Sequence, residues 1–129
     1  MGWDGYATKD GKVIDVNWGN FRDDKPQIKD EGLRGKFIKA AKGVVEIADG
    51  VDWLLGLGGL DCSDCAYALQ DATGMNCWGN DITAEKVKEF YDNANWENVR
   101  DGLSKELVAS AKAFLEVCAR EGLGMSFSW

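Results

Sequence analysis

The chain contains no histidine, and that one absence removes much of the usual enzymatic repertoire. Imidazole is the commonest general base near neutral pH and a frequent metal ligand. Without it, Ser-His-Asp and Cys-His arrangements cannot be assembled within one chain. A structural zinc would have to be held by cysteine and carboxylate alone. Long apolar runs are missing too. The most apolar window, VDWLLGLGGL at residues 51–60, is ten residues long with an aspartate inside it, far too short to span a bilayer. The first twenty residues hold no apolar stretch, so no secretory signal is expected in them. A cytoplasmic setting with reduced thiols is the resulting expectation.

Positive charge is in the minority: 22 acidic and 15 basic residues give a net charge of −7 and a pI near 4.5. Such a molecule repels phosphate backbones and anionic headgroups. Neither nucleic acid nor a membrane is expected as a partner, whereas a basic protein surface is. A chain of 129 residues suits a single domain over residues 1–129. A domain of this size buries roughly two-thirds of its unfolded surface, so neither a disulfide nor a metal is needed for folding.

Local patterns point to an α+β domain. Asp10-Gly11 is a strong tight-turn pair because glycine accepts positive φ, and it predicts a hairpin around residues 5–18. Beyond the turn, Ile14, Val16 and Trp18 alternate with Val13, Asp15 and Asn17, the pattern of a half-buried strand over residues 13–18. Residues 19–31 are polar, include Pro26, the only proline, and read as a loop. From about Gly32 the period changes. Phe37, Ile38, Ala41, Val44, Val45, Ala48, Val51 and Leu55 recur at helical spacing, with Gly43 suggesting a close crossing and Gly56, Gly58 and Gly59 a stop. A short helix follows, capped by Asp61 or Ser63 and ended by Gly74.

Thr83 opens the next helix, with Ile82 and Val87 at staple positions and Val87, Phe90, Tyr91 and Ala94 on its apolar face. The spacing of Val99, Leu103, Leu107, Ala111, Phe114, Leu115 and Cys118 predicts a long helix over residues 98–121. In GMSFSW, Met125, Phe127 and Trp129 alternate with smaller residues, predicting a terminal strand that pairs with the N-terminal hairpin. The sum is a small antiparallel sheet packed against about four helices.

Three of the four cysteines fall within DCSDCAYALQDATGMNC, residues 61–77. Cys62 and Cys65, in the first turn of the short helix, lie at i and i+3, with sulfurs able to approach each other or a common ion. A helix N-terminus favours a thiolate, but Asp61 and Asp64 beside the pair oppose that by like-charge repulsion. Redox catalysis is not expected. Cys62, Cys65 and Cys77 supply three zinc ligands, with Cys118 or an aspartate as the fourth, although the usual repeated C-x-x-C knuckle is absent. A disulfide from Cys77 to Cys62 or Cys65 requires an oxidising setting. The simplest reading is of free cysteines packed as small apolar residues, with no cofactor.

Carboxylate chemistry stays open through Asp4, Asp10, Asp15, Asp23 and Asp24, provided that one of them sits in an apolar pocket. No calcium-type loop appears, and Gly56 to Gly59 lacks the lysine and threonine of a phosphate loop. No enzymatic activity is expected.

Tryptophan is abundant, six in all. Trp18, Trp53 and Trp129 follow apolar periodicity and are expected to cap the edges of a small core. Trp78 and Trp96 lie in polar, Asn-rich surroundings. With Asn80 and the wet-side carboxylates Glu85, Glu89 and Asp92, they form the candidate binding surface, tryptophan being enriched at interface hot spots. The reading is a non-enzymatic protein-binding module, such as a small acidic inhibitor, immunity or accessory protein of bacterial or phage origin. The alternatives are a structural-zinc or assembly protein using Cys62, Cys65 and Cys77, and a small carboxylate-dependent hydrolase. Homo-oligomerisation is left open.

Overall fold

The computed structural model describes residues 2–17, 26–44 and 54–129. The predicted features at Trp18, Asn20, Asp23, Asp24, Val45, Ala48, Val51 and Trp53 lie outside them. The fold is α+β, as expected: among the described residues, four named α-helices pack around an antiparallel sheet.

Strand β1 (Asp4–Lys9) is the centre of that sheet. It turns at Asp10 and Gly11, both with positive φ, 54° and 77°, as a two-residue hairpin of the right twist requires. Strand β2 (Lys12–Val13) returns alongside Thr8 and Lys9. The predicted strand over residues 13–18 is not continuous. Ile14 turns inward and is buried, Val13 stays 51% exposed, and the chain leaves the sheet. It then forms a separate ribbon of β3 (Val16–Asn17) and β4 (Gln27–Ile28). Ile28, placed by sequence in a polar loop, is fully buried.

Helix α1 (Glu31–Val44) starts where the Asp30 carboxylate accepts the Leu33 N–H at 3.2 Å, a side-chain cap on an orphan donor. Leu33, Phe37, Ala41 and Val44 are its buried stripe. Ile38 is 36% exposed, because only part of the predicted face meets another layer. Among the described residues nothing lies within 4 Å of where a side chain on Gly43 would begin, so none of the described elements makes the close crossing expected there.

The glycine-rich segment does more than end a helix. Gly58 takes φ +78° and delivers the chain into β5 (Gly59–Asp61), which pairs with β1 in the register Asp4 to Asp61, Gly5 to Leu60 and Tyr6 to Gly59. Helix α2 (Ser63–Thr73) follows at once and ends at left-handed Gly74, whose N–H reaches Gln70 O at 2.8 Å. Its N-cap is Cys62, without a side-chain cap bond, rather than the expected Asp61 or Ser63: Asp61 is still held in the β5 ladder.

Helix α3 (Ala84–Asp92) begins as predicted, the Thr83 side chain accepting the Lys86 N–H. Its start is anchored because Ile82 and Met125 exchange two backbone hydrogen bonds, 2.8 and 2.9 Å. Helix α4 (Lys105–Arg120) is shorter than predicted. Residues 96–98 form a separate 3₁₀ turn, and Gly102 at φ +93° interrupts the backbone. Val99 and Leu103 pack against the core from outside the helix. Strand β6 (Gly124–Ser128) then lies antiparallel along β1, from Asp4 opposite Ser128 to Thr8 opposite Gly124.

The sheet has a dry face and a wet one. Gly5 and Ala7 point inward. Trp3, fully buried, lays its indole across Gly5, where an added Cβ would stand 2.6 Å from the ring. The indole N–H donates to Cys77 O at 2.8 Å, which satisfies the one polar atom that burial would otherwise strand. Phe127 stacks on the same ring, centroids 5.8 Å apart. Asp4 and Tyr6 lie on the opposite, half-exposed face.

Candidate functional site

The inward layer runs out at one end of the sheet, and there the aromatic side chains continue to the surface. Trp78 is half-buried over Trp3, ring centroids 6.4 Å apart. It meets Tyr67 of α2 at 6.0 Å and Trp129 edge-on at 6.2 Å. Its position follows from a local turn in which the Asn76 side chain accepts the Trp78 N–H at 3.1 Å. Trp129, one residue beyond β6, is 56% exposed. The expectation that it caps the core edge therefore fails: parity puts it on the inward side of the strand, but none of the described helices covers it there.

Arg100 extends the row. Its guanidinium lies 4.7 Å from the Tyr67 ring centroid and makes a bidentate pair with Asp71, one helical turn beyond Tyr67, at 2.7 and 2.9 Å. The Arg100 backbone N–H also donates to Asp71 at 3.1 Å. Hydrogen bonding from this guanidinium holds the Asp71 carboxyl below its ordinary pKa, and the same contact raises Arg100 further. Trp129, Trp78, Tyr67 and Arg100 thus form a row of large side chains whose arginine end is fixed in place. Asp64 lies one turn before Tyr67 on α2, and no ion pair is made to it among the described residues.

The other residues singled out by sequence are placed differently. Trp96 is half-buried at the 3₁₀ turn, with the Lys112 ammonium 5.9 Å from its ring. Asn80 is exposed. On α3, Glu89 meets Lys86 and Asp92 meets Lys88, pairs within one helix that are typical of a solvated face; Glu85 is exposed beside them. Only Trp78 of the six belongs to the aromatic row. The helical offsets of Asp64, Tyr67 and Asp71 put those three on one side of α2, a signal available in the sequence. Nothing local announces Arg100.

A second polar feature lies on the wet face of the sheet. Asp4 and Asp61 stand directly opposite each other across β1 and β5. Partial burial raises the Asp4 pKa, hydrogen bonding and repulsion from Asp61 raise it further, and a hydrogen bond with Tyr6 works the other way. Tyr6 is itself raised by burial and by the two carboxylates. Asp4 therefore pairs with Asp61, and not with the Asp10 or Asp15 of its own hairpin region.

The four cysteines are free. Cys65, Cys77 and Cys118 are fully buried and Cys62 is half-exposed. Burial pushes the Cys65 and Cys77 thiols up to about 12 and raises Cys118 as well. Among the described residues no three His, Cys, Asp or Glu side chains are grouped to hold a metal ion. Nor is any described helix long and apolar enough to cross a membrane. No family model, curated protein or solved structure matches the chain.

Proposed function

We propose that this chain acts by binding another protein, and that the row Trp129, Trp78, Tyr67 and Arg100 is the contact. The observation that carries the reading is Trp129, a large apolar side chain 56% exposed against an ordered aromatic neighbour. Tryptophan, tyrosine and arginine are the residue types enriched at binding hot spots. Covering the exposed part of one tryptophan contributes on the order of 2–3 kcal/mol. The ordering cost is already met in part, since Trp78 packs on Trp3 and Arg100 is clamped by Asp71. A net charge of −7 favours a basic partner and an encounter rate that falls with salt. A small acidic inhibitor, immunity or accessory protein fits these properties.

The test is affinity capture from the source organism's extract at low ionic strength, run in parallel with Trp129→Ser. The expected result is a stoichiometric partner held by the parent chain, released by salt and lost with the variant. Equal capture by both proteins, or no partner at all, contradicts the reading.

A carboxylate-dependent hydrolase has one observation in its favour, the Asp4–Asp61 pair beside Tyr6. Its test is turnover of glycoside and peptide substrates that disappears with Asp4→Asn. For the zinc alternative, elemental analysis of the purified protein is decisive: less than about a tenth of an equivalent removes it.

A further inference from the structure

The C-x-x-C pair takes no part in the aromatic row, yet its geometry is specific. The Cys65 N–H donates to Cys62 O at 3.1 Å, closing a tight turn at the start of α2. Such a turn keeps the two Cα atoms less than about 7 Å apart, which overlaps the separation that a disulfide spans. The two residues differ in access. Cys62 is half-exposed at the N-cap, while Cys65 is fully buried, its thiol directed at Leu107 O, 3.5 Å away. Cys77 and Cys118 are fully buried on other elements.

We propose that Cys62 and Cys65 form a reversible disulfide by exchange with a low-molecular-weight disulfide such as glutathione disulfide, Cys62 attacking first and Cys65 resolving. In the first step the Cys62 sulfur bonds to one glutathione sulfur, the S–S bond of the oxidant breaks, and one glutathione leaves as a thiol. In the second, the Cys65 sulfur bonds to the Cys62 sulfur and the second glutathione departs, taking up the Cys65 proton. Two protein thiols are oxidised and one glutathione disulfide is reduced to two thiols.

The charge around Cys65 bears on whether the reduced form is held. A reduced pair is held against oxidation when the protein stabilises its thiolate. Here burial, followed by the neighbouring Cys62 and the carboxylates of Asp64 and Asp61, works against a Cys65 thiolate. Cys65 is therefore a neutral thiol near pH 7, and thiolate stabilisation does not hold the pair reduced. Access also sets the order of events, because only Cys62 of the four is reachable without opening the core.

The folded protein should be equilibrated over a range of glutathione to glutathione-disulfide ratios, quenched in acid, alkylated, and analysed by intact mass and peptide mapping. The expected product has two fewer alkylatable thiols and a cross-link between Cys62 and Cys65. Cys65→Ser should stop at a glutathione adduct on Cys62, and Cys62→Ser should remain unmodified under the same exposure. The equilibrium constant should be at least about tenfold larger in the folded chain than in denaturant, since the turn holds the pair together. A parent chain that accumulates only the Cys62 adduct, a bond that maps to Cys77, or equal constants folded and unfolded would overturn the proposal.

Discussion

Replacing Asp4 by asparagine should stabilise this protein at neutral pH, and the reason lies in the register of two strands. Asp4 and Asp61 are directly opposite in the β1–β5 ladder, where like charges are destabilising. Asparagine keeps an oxygen to accept from Tyr6, adds an N–H for Asp61, and removes one of the two charges. Asp4 is half-exposed, so the magnitude is that of a solvent-screened cross-strand pair, about 0.5–1 kcal/mol. Spread over the unfolding entropy of a domain this size, that raises Tm by roughly 2–4 °C.

The pH dependence supplies the stricter test. The folded-state pKa of Asp4 lies above its ordinary value of 3.8, so between those two values the native state binds more protons than the unfolded one. Stability then falls as pH rises through that window. The contribution is fully present below 3.8, and above the raised value it is gone. Urea unfolding of the parent and of Asp4→Asn at pH 3 and at pH 7 measures both ends. The variant should lead at pH 7 and lose its lead at pH 3, where the parent's own carboxyl is protonated. A variant that is less stable at pH 7, or equally favoured at both, refutes the argument.

Gly124→Ala should cost about 2 kcal/mol. Its Cβ would stand 2.5 Å from Ile82 O and 2.6 Å from Thr8 Oγ1, and the Ile82 backbone is fixed by its exchange with Met125; the check is a lower urea midpoint at unchanged slope. Asp71→Ala should cost about 1 kcal/mol at pH 7, because it strips the bidentate pair and leaves the Arg100 N–H without its acceptor. Since the folded-state pKa of Asp71 is lowered, its contribution is present above the ordinary aspartate value and is lost as pH falls through the lowered one. The parent and Asp71→Ala should therefore converge in acid, which thermal melts at pH 7 and pH 2 measure.

What could be read from sequence was whatever is decided within one turn of chain. Asp10-Gly11, Thr83 and Gly74 act through their own φ angles and nearest backbone donors, and each stands where expected. The terminal strand was legible because alternation over Met125 and Phe127 records a sheet with one dry face. The same logic misplaced Trp129, because parity gives a side and not the extent of the layer above it. Apolar spacing misled in a similar way over residues 98–104. Val99 and Leu103 do face the core, but periodicity reports which side is buried and says nothing of the backbone between. There Gly102 turns left-handed and Asp71 claims the Arg100 N–H.

Strand β5 could not be seen at all, since Gly59 and Leu60 show no alternation and owe their strand to β1, far upstream. The same distance hides the Asp4–Asp61 and Asp71–Arg100 pairs, made by register and by packing between elements. Cys62 and Cys65 are the opposite case. Their approach is fixed by a single turn, so it was visible from spacing alone. What the structure adds is the difference in access between the two thiols, and that difference sets which sulfur an oxidant meets first.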